Sequence, residues 1–182
     1  VTTHIALLKG INVGGHKMVA MADLRKLLTD VGLSEPKTLL QSGNLVFRSR
    51  TRSTAQLETL LETEIAKRLG VSAEIFVRSA AEWDAIVARN PFGNEAKRDP
   101  GHLLVLLLKT AAKPKNMEAL RAAIRGREVV RADGTHAYAV YPDGIGRSKL
   151  TNPLIEKALG TSVTGRNWNT VLKLAALAGS ES

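Results

Sequence analysis

No cysteine occurs among the 182 residues of the chain, which excludes disulfides, thiol nucleophiles and thiolate metal sites. Long hydrophobic runs are missing as well. The longest, Leu103 to Leu108, is strand-sized and far short of the ~20 residues that span a bilayer, so no membrane segment is expected. The opening residues, Val1-Thr2-Thr3-His4-Ile5, contain neither a basic stretch, nor a long apolar stretch, nor a small-residue cleavage site. With no secretory signal legible, the expected location is cytoplasmic. Acidic residues are in short supply: 17 Asp and Glu face 26 Lys and Arg, for a formal charge of +9. The rest is ordinary for a folded protein, with 44% hydrophobic and 24% charged residues. The length suits one large domain or two small ones sharing a core.

The positive charge is uneven. Residues 1–94 carry 12 basic and 9 acidic residues, whereas residues 95–182 carry 14 and 8. Between Lys97 and Arg131, nine basic residues stand against three acidic ones. Such an excess draws polyanions and speeds their encounter. A solvated face that keeps the protein soluble accounts for the same residues without any partner.

Ile5 to Lys9 reads as a buried strand closed by Gly10, and Leu24, Leu27, Leu28 and Val31 recur at helical spacing up to Gly32. Thr38–Gln41 and Leu45–Phe47 flank Ser42-Gly43-Asn44, a hairpin signal. Ser53 and Gln56 form a capping-box pattern before a helix with Leu57, Leu60, Leu61, Ile65 and Leu69 on one face, ended by Gly70. A strand from Ala73 to Arg78 follows, then a helix capped by Ser79 and Glu82 and bearing Trp83, Ile86 and Val87. After a polar, turn-rich stretch from Pro91 to Gly101 the order starts again. Leu103–Leu108 is a strand and residues 116–125 a helix. Glu128–Arg131 and Ala137–Tyr141 flank an Asp133-Gly134 turn, and Asn152-Pro153 opens a helix that ends at Gly160. A short strand from Ser162 to Thr164 precedes a last helix from Trp168, with Val171, Leu172 and Ala175 inward.

Residues 1–90 and 102–182 therefore read as two tandem βαββαβα units, with 91–101 as the linker. The first six elements of each are the ferredoxin-like, split βαβ order, and the class is α+β. Helices on one face of such a sheet predict alternating strands, yet Leu103 to Leu108 does not alternate, so both its faces must be buried. The expectation is that the two units share a core through that face; a second subunit, making a homo-oligomer, is the alternative cover. RNA-recognition motifs share this topology and stack bases on aromatics of their first and third strands. Neither first strand carries an aromatic here, and Tyr138 and Tyr141 point to opposite faces. Binding through an open sheet face is not expected; loops and edges are left.

Three stretches carry a resemblance: Ala6-Leu7-Leu8-Lys9-Gly10-Ile11-Asn12-Val13-Gly14-Gly15, Leu40-Gln41-Ser42-Gly43-Asn44, and Arg166-Asn167-Trp168-Asn169-Thr170-Val171. Together they resemble the bacterial domain-of-unknown-function 1697 family, with Lys9 standing where that family usually has arginine. The resemblance implies an α+β fold and supplies no catalytic residue to carry over.

In a 4-1-3-2 strand order, the loop leaving the first strand and the turn between the second and third lie at one end of the sheet. Lys9, Gly10, Asn12, Gly14, Gly15 and Lys17 would then sit beside Ser42 and Asn44. Backbone amides of a glycine loop, two lysines and short polar side chains are the ingredients of an anion site. The spacing matches neither a Walker loop nor a dinucleotide fingerprint, and the same glycines serve equally as tight-turn residues. At the opposite end of the second unit's sheet, the loops after its third and fourth strands gather Arg147, Ser148 and Lys149 with Arg166, Asn167 and Trp168. That set suits phosphates with a stacked base; alternatively Trp168 packs in the core and Asn167 caps the last helix. His4, His16, His102 and His136 show no metal-ligand spacing, so no metal site is assigned. His4 and His102 are expected to open equivalent strands. No cofactor motif is found, and Asp133 is assigned to a turn. The leading functional reading is a binder of nucleic acid or another phosphorylated ligand. An enzyme acting on a small phosphorylated substrate, with the Gly10–Lys17 loop as its cradle, and an interaction module with no specific ligand are the alternatives.

Overall fold

A computed structural model describes residues 1–11, 18–39, 43–50 and 52–179. Their elements run β1 (Thr2–Lys9), α1 (Met21–Asp30), β2 (Ser34–Leu39), β3 (Asn44–Ser49), α2 (Thr54–Leu69), β4 (Glu74–Ser79) and α3 (Ala80–Ala88). After α4 (Gly93–Arg98) and a 3-10 turn come β5 (Leu103–Leu108), α5 (Pro114–Ala123), β6 (Val129–Asp133) and β7 (His136–Val140). The chain closes with α6 (Asn152–Leu159), β8 (Val163–Asn167) and α7 (Trp168–Gly179). This is a mixed α/β protein with two four-stranded antiparallel sheets, ordered β2-β3-β1-β4 and β6-β7-β5-β8. It divides into two compact units, Val1–Ala85 with the stretch from Lys173, and Ile86–Leu172. No helix among the described residues is long and apolar enough to cross a membrane.

In the first unit, alternate residues of the strands point to opposite faces. Ala6, Leu8, Leu45, Phe47, Ile75 and Val77 meet Leu24, Leu27 and Leu28 of α1 and Leu57, Leu61 and Ile65 of α2 in one core. The opposite face of the same sheet, with Ile5, Leu7, Val46 and Phe76, is buried too. The second unit repeats the scheme. Leu106, Leu108, Ala137, Ala139, Tyr141 and Val163 pack with Met117 and Leu120 of α5 and Ile155 and Leu159 of α6, while Leu103, Val105, Leu107 and Tyr138 are buried on the other face. The two-sided burial expected from the unbroken apolar run is therefore observed. Tyr138 and Tyr141 lie on opposite faces as their spacing requires.

Each sheet's outer strand on one side is protected by a helix carboxylate. Glu62 Oε2 accepts from Ile75 N at 3.1 Å and Glu58 Oε2 from Val77 N at 2.9 Å, so α2 occupies the free edge of β4. Glu156 of α6 does the same for β8, accepting from Val163 N at 3.1 Å. An edge strand whose outward amides are already bonded offers no template for another chain. On β2, the other edge of the first sheet, the pairing with β3 shifts register between Ser34 and Lys37. Pro36, which has no amide hydrogen to donate, sits at that irregularity.

Several expectations move. β2 begins at Ser34 rather than Thr38 because it pairs with β3 back to Arg48. Asp133 and His136 form the closing pair of the second hairpin, so its turn is Gly134-Thr135, one residue later than expected. The stretch read as a linker holds α4. β8 extends to Asn167, paired with Leu104, and runs straight into α7, so Arg166 and Asn167 are strand residues and not loop residues. On α7 the inward residues are Trp168, Val171 and Leu174, while Leu172 is 43% exposed; the helix starts without a loop, and the buried Trp168 ring sets its phase. His4 and His102 are not equivalent. His4 pairs with Ser79 and Leu104 with Asn167, each the last strand residue before a helix, so the counterpart of His4 is Leu104.

Leu106→Ala removes a fully buried side chain and is expected to cost about 2–5 kcal/mol of stability. Val105→Ala, on the other face, is expected to cost less because fewer atoms are lost. Urea denaturation of both variants measures this, and a neutral result for either contradicts two-sided burial.

Candidate functional site

Of the juxtaposition expected at the end of the first sheet, the described residues show the end of β1 beside Gly43 and Asn44. Leu7 pairs with Asn44, and Leu8 N donates to Gly43 O at 2.9 Å, so the end of β1 lies against the β2–β3 turn. Gly43 has φ of +81°, and a Cβ there would stand 2.8 Å from both Leu8 Cβ and Ile11 Cγ2. Only glycine fits so tight a crossing. Asn44 is fully buried and its Nδ2 donates to Leu39 O at 2.9 Å, which commits its amide to closing the hairpin. Lys9, opposite Glu74, and Gly10, with φ of +85°, complete the described part of this cluster. Asn12, Gly14, Gly15, Lys17 and Ser42 lie outside the described residues, as does His16.

The second cluster is divided by the sheet. β7 and β8 both finish beside the start of β5, through the pairs Leu103–Val140 and Leu104–Asn167, so their ends do meet as expected. Arg166, however, is opposite Val105, on the face away from α5 and α6. Its Nη1 turns back onto its own strand, donating to Gly165 O at 2.9 Å and Thr164 Oγ1 at 3.1 Å. Burial pushes its pKa down to about 10, still well above neutrality. Arg147 and Lys149 are exposed on a segment tied to the helix-bearing side, where Tyr141 Oη donates to Leu150 O at 3.0 Å within the core. Between them Ser148 Oγ donates to Glu128 at 2.6 Å and accepts from Leu150 N. Asn167 Oδ1 accepts from Thr170 N at 3.0 Å, capping α7, and the Trp168 ring is buried.

Arg166 has a counterpart that sequence reading missed. Arg78 is opposite Ile5 in β4 as Arg166 is opposite Val105 in β8, and its Nη1 donates to Val77 O at 2.8 Å. Burial lowers its pKa, and Glu58 at 3.8 Å partly offsets that. Ser79, the next residue, caps α3 with Glu82 in the way that Asn167 caps α7. The shared signal, an arginine then a capping residue at the end of a strand, is present in the sequence but too short to be read without the register.

A polar group in the second unit was also missed. Arg89 pairs with Asp133 at 3.1 Å, Asp133 Oδ2 lies 3.7 Å from His136 Nε2, and that nitrogen is 3.3 Å from Tyr138 Oη. Tyr138 Oη donates to Ile86 O at 2.6 Å, leaving a lone pair for the imidazole N–H. Burial raises the phenol pKa to about 12, so Tyr138 is neutral at physiological pH and acts as an anchor, not as a base. Arg89, Pro91, Arg131, Ala132, Asp133 and Tyr138 line a shallow cleft of about 220 Å³ beside it. Asp133 thus has an ion-pair role beyond its place in the hairpin. Among the described residues no group of three or more His, Asp or Glu is placed to hold a metal ion.

Two four-stranded antiparallel sheets with one strand order, in a repeated element order, define the chain as a two-unit mixed α/β protein. The model of the family described as "Protein of unknown function (DUF1697)" matches residues 1–138, and the chain belongs to that family. No curated protein matches it. Among solved structures it is similar to the conserved bacterial protein SP0830 from Streptococcus pneumoniae, with 25% identity and a TM-score of 0.75 over 97% of this chain and 98% of that one.

Tyr138→Phe deletes the buried hydroxyl and leaves Ile86 O without its donor. The expected loss is about 1–3 kcal/mol, read as a lower thermal midpoint by circular dichroism. An unchanged midpoint would show that the hydroxyl does not anchor the end of α3.

Proposed function

We propose that this protein binds nucleic acid or another phosphorylated polyanion through its second unit. One observation carries the reading. Lys97, Arg98, Lys113, Lys115, Arg121 and Arg125 are exposed and make no ion pair among the described residues. Within the same stretch Arg127 is paired with Asp143, and Arg131 lies over the Phe92 ring at 5.5 Å. Exposed cations without acidic partners keep their full charge for an incoming anion and release counterions when phosphates replace them. Contacts of this kind position a polyanion without reading its sequence. The central strands are buried on both faces, so the mode proposed is one of helix surfaces, loops and edges and not of bases stacked on a sheet. The same reading takes each sheet with its helices as a ferredoxin-like unit, the order β2-β3-β1-β4 recurring as β6-β7-β5-β8, and places the protein in the cytoplasm.

Fluorescence anisotropy with a labelled single-stranded oligonucleotide at several salt concentrations tests this. Affinity is expected to fall steeply with salt, regardless of base sequence. Replacing Lys113, Lys115, Arg121 and Arg125 together by alanine should reduce the slope of log K against log salt by about 3, at roughly 0.7 per contact. Binding that ignores salt, or that survives the fourfold replacement unchanged, rules the reading out.

A further inference from the structure

We propose that Arg48, Arg50 and Arg52 form a second, separate site that takes the phosphate monoester group of a small molecule. Its residues belong to the first unit, whereas the preceding reading rests on the second. The three arginines line an open cleft of about 420 Å³ together with Gly32, Ser34 and Ser49. That volume falls within the range of small-ligand pockets. The cleft lies at the end of the first sheet where Thr2 pairs with Ser49, away from the turn at Gly43.

The backbone assembles the group. Arg48 lies on the sheet face opposite α1 and α2, and Arg50 follows two residues on, just past the end of β3. Arg52 joins them from the approach to α2, its Nη1 reaching Val31 O at only 3.4 Å. The irregular stretch of β2 supplies the one carboxylate among the described residues within ion-pair distance of the three: Glu35, at 3.7 Å from Arg48 Nη1. Glu35 is the one non-glycine residue with positive φ among the described residues, at +50°. A left-handed backbone is uncommon outside glycine, and here it accompanies the register shift that brings that carboxylate to the cleft.

The charges do not balance internally. Three guanidinium groups face one carboxylate, leaving about two positive charges, and a phosphate monoester at pH 7 carries about 1.5 to 2 negative ones. Arg50 is exposed and its guanidinium has no hydrogen-bond or ion-pair partner among the described residues; only its backbone carbonyl is engaged, accepting from Ser49 Oγ at 3.3 Å. The Nε–H of Arg48 is shielded from solvent and has no acceptor among the described residues, an expensive condition for a cationic donor. An oxyanion in the cleft would meet the fork of Arg50 and the side of Arg48 together, the bidentate geometry that guanidinium groups provide and ammonium groups do not.

Isothermal titration calorimetry of the whole chain with AMP and with pyrophosphate, against adenosine as the uncharged control, tests the assignment. Both anions are expected to bind saturably and adenosine not to bind. Arg50→Ala should weaken both by about tenfold or more, and Arg50→Lys should recover only part of the loss, because the charge returns without the fork. Arg50 and Arg52 are exposed, so Arg50→Ala and Arg52→Ala are expected to keep the wild-type thermal midpoint. Lys115→Ala should leave AMP binding intact while it weakens oligonucleotide binding, which separates this site from the basic segment of the second unit. A 5′-phosphorylated trinucleotide that binds more tightly than AMP would make a nucleic-acid end the source of the phosphate; equal or weaker binding would make it a free monoester. No saturable binding of either anion, or binding indifferent to Arg50→Ala and Arg52→Ala, overturns the proposal.

Discussion

The central strands β1 and β5 are buried on both faces, and most of the architecture follows from that constraint. Ile5, Leu7, Val105 and Leu107 are shielded from water just as Ala6, Leu8, Leu106 and Leu108 are under the helices. Apolar area removed from water at roughly 25 cal/mol per Å² makes such strands the main source of stability in each unit. It also takes the central part of each sheet surface away from solvent. Polar chemistry is pushed to the strand ends, the outer edges and the exposed sides of helices.

Those edges are dealt with in different ways. Glu58 and Glu62 satisfy the outward amides of β4, and Glu156 satisfies that of Val163 in β8. The device recurs in both units at the strand that follows the second long helix, so the repetition extends from topology to individual hydrogen bonds. β2 solves the edge problem by irregularity: a register shift, a proline and a left-handed Glu35 interrupt its pairing. The same irregularity sets a carboxylate beside Arg48, so a feature that blunts an edge also shapes the neighbouring arginine cleft.

Polar residues that look functional fall into two groups once their partners are known. Arg78, Arg166, Asn44, Asn167 and Tyr138 are engaged in holding backbone: each bonds a carbonyl or amide near the end of a strand or helix. Buried polar groups require such partners, because an unmet donor or acceptor costs most where water is absent. Among the described residues the side chains of Arg50, Lys97, Arg98, Lys113, Lys115, Arg121 and Arg125 have no such duty. The distinction between structural and available charge is therefore one of burial and partnership and not of residue type.

Element order, the two-unit repeat, the capping residues Ser53 and Ser79, and the two-sided burial of Leu103 to Leu108 were legible in the sequence. Each rests on local rules: apolar periodicity, capping chemistry, and the need to bury a run that does not alternate. That the end of β1 meets the hairpin at Gly43 was also legible, since strand order alone implies it. Register was not. Whether Arg166 belonged to a loop or to β8, which face it took, and that Arg78 is its counterpart were settled only by pairing with β5 and β1. The arginine cleft escaped detection for a similar reason. Arg48, Arg50 and Arg52 form no motif along the chain, and Gly32 and Ser34 come alongside them only in the folded unit. Local sequence determines which segments form strands and helices, because propensity and periodicity act within a few residues. Which side chains meet depends on contacts between segments distant in the chain, and only the tertiary structure decides those.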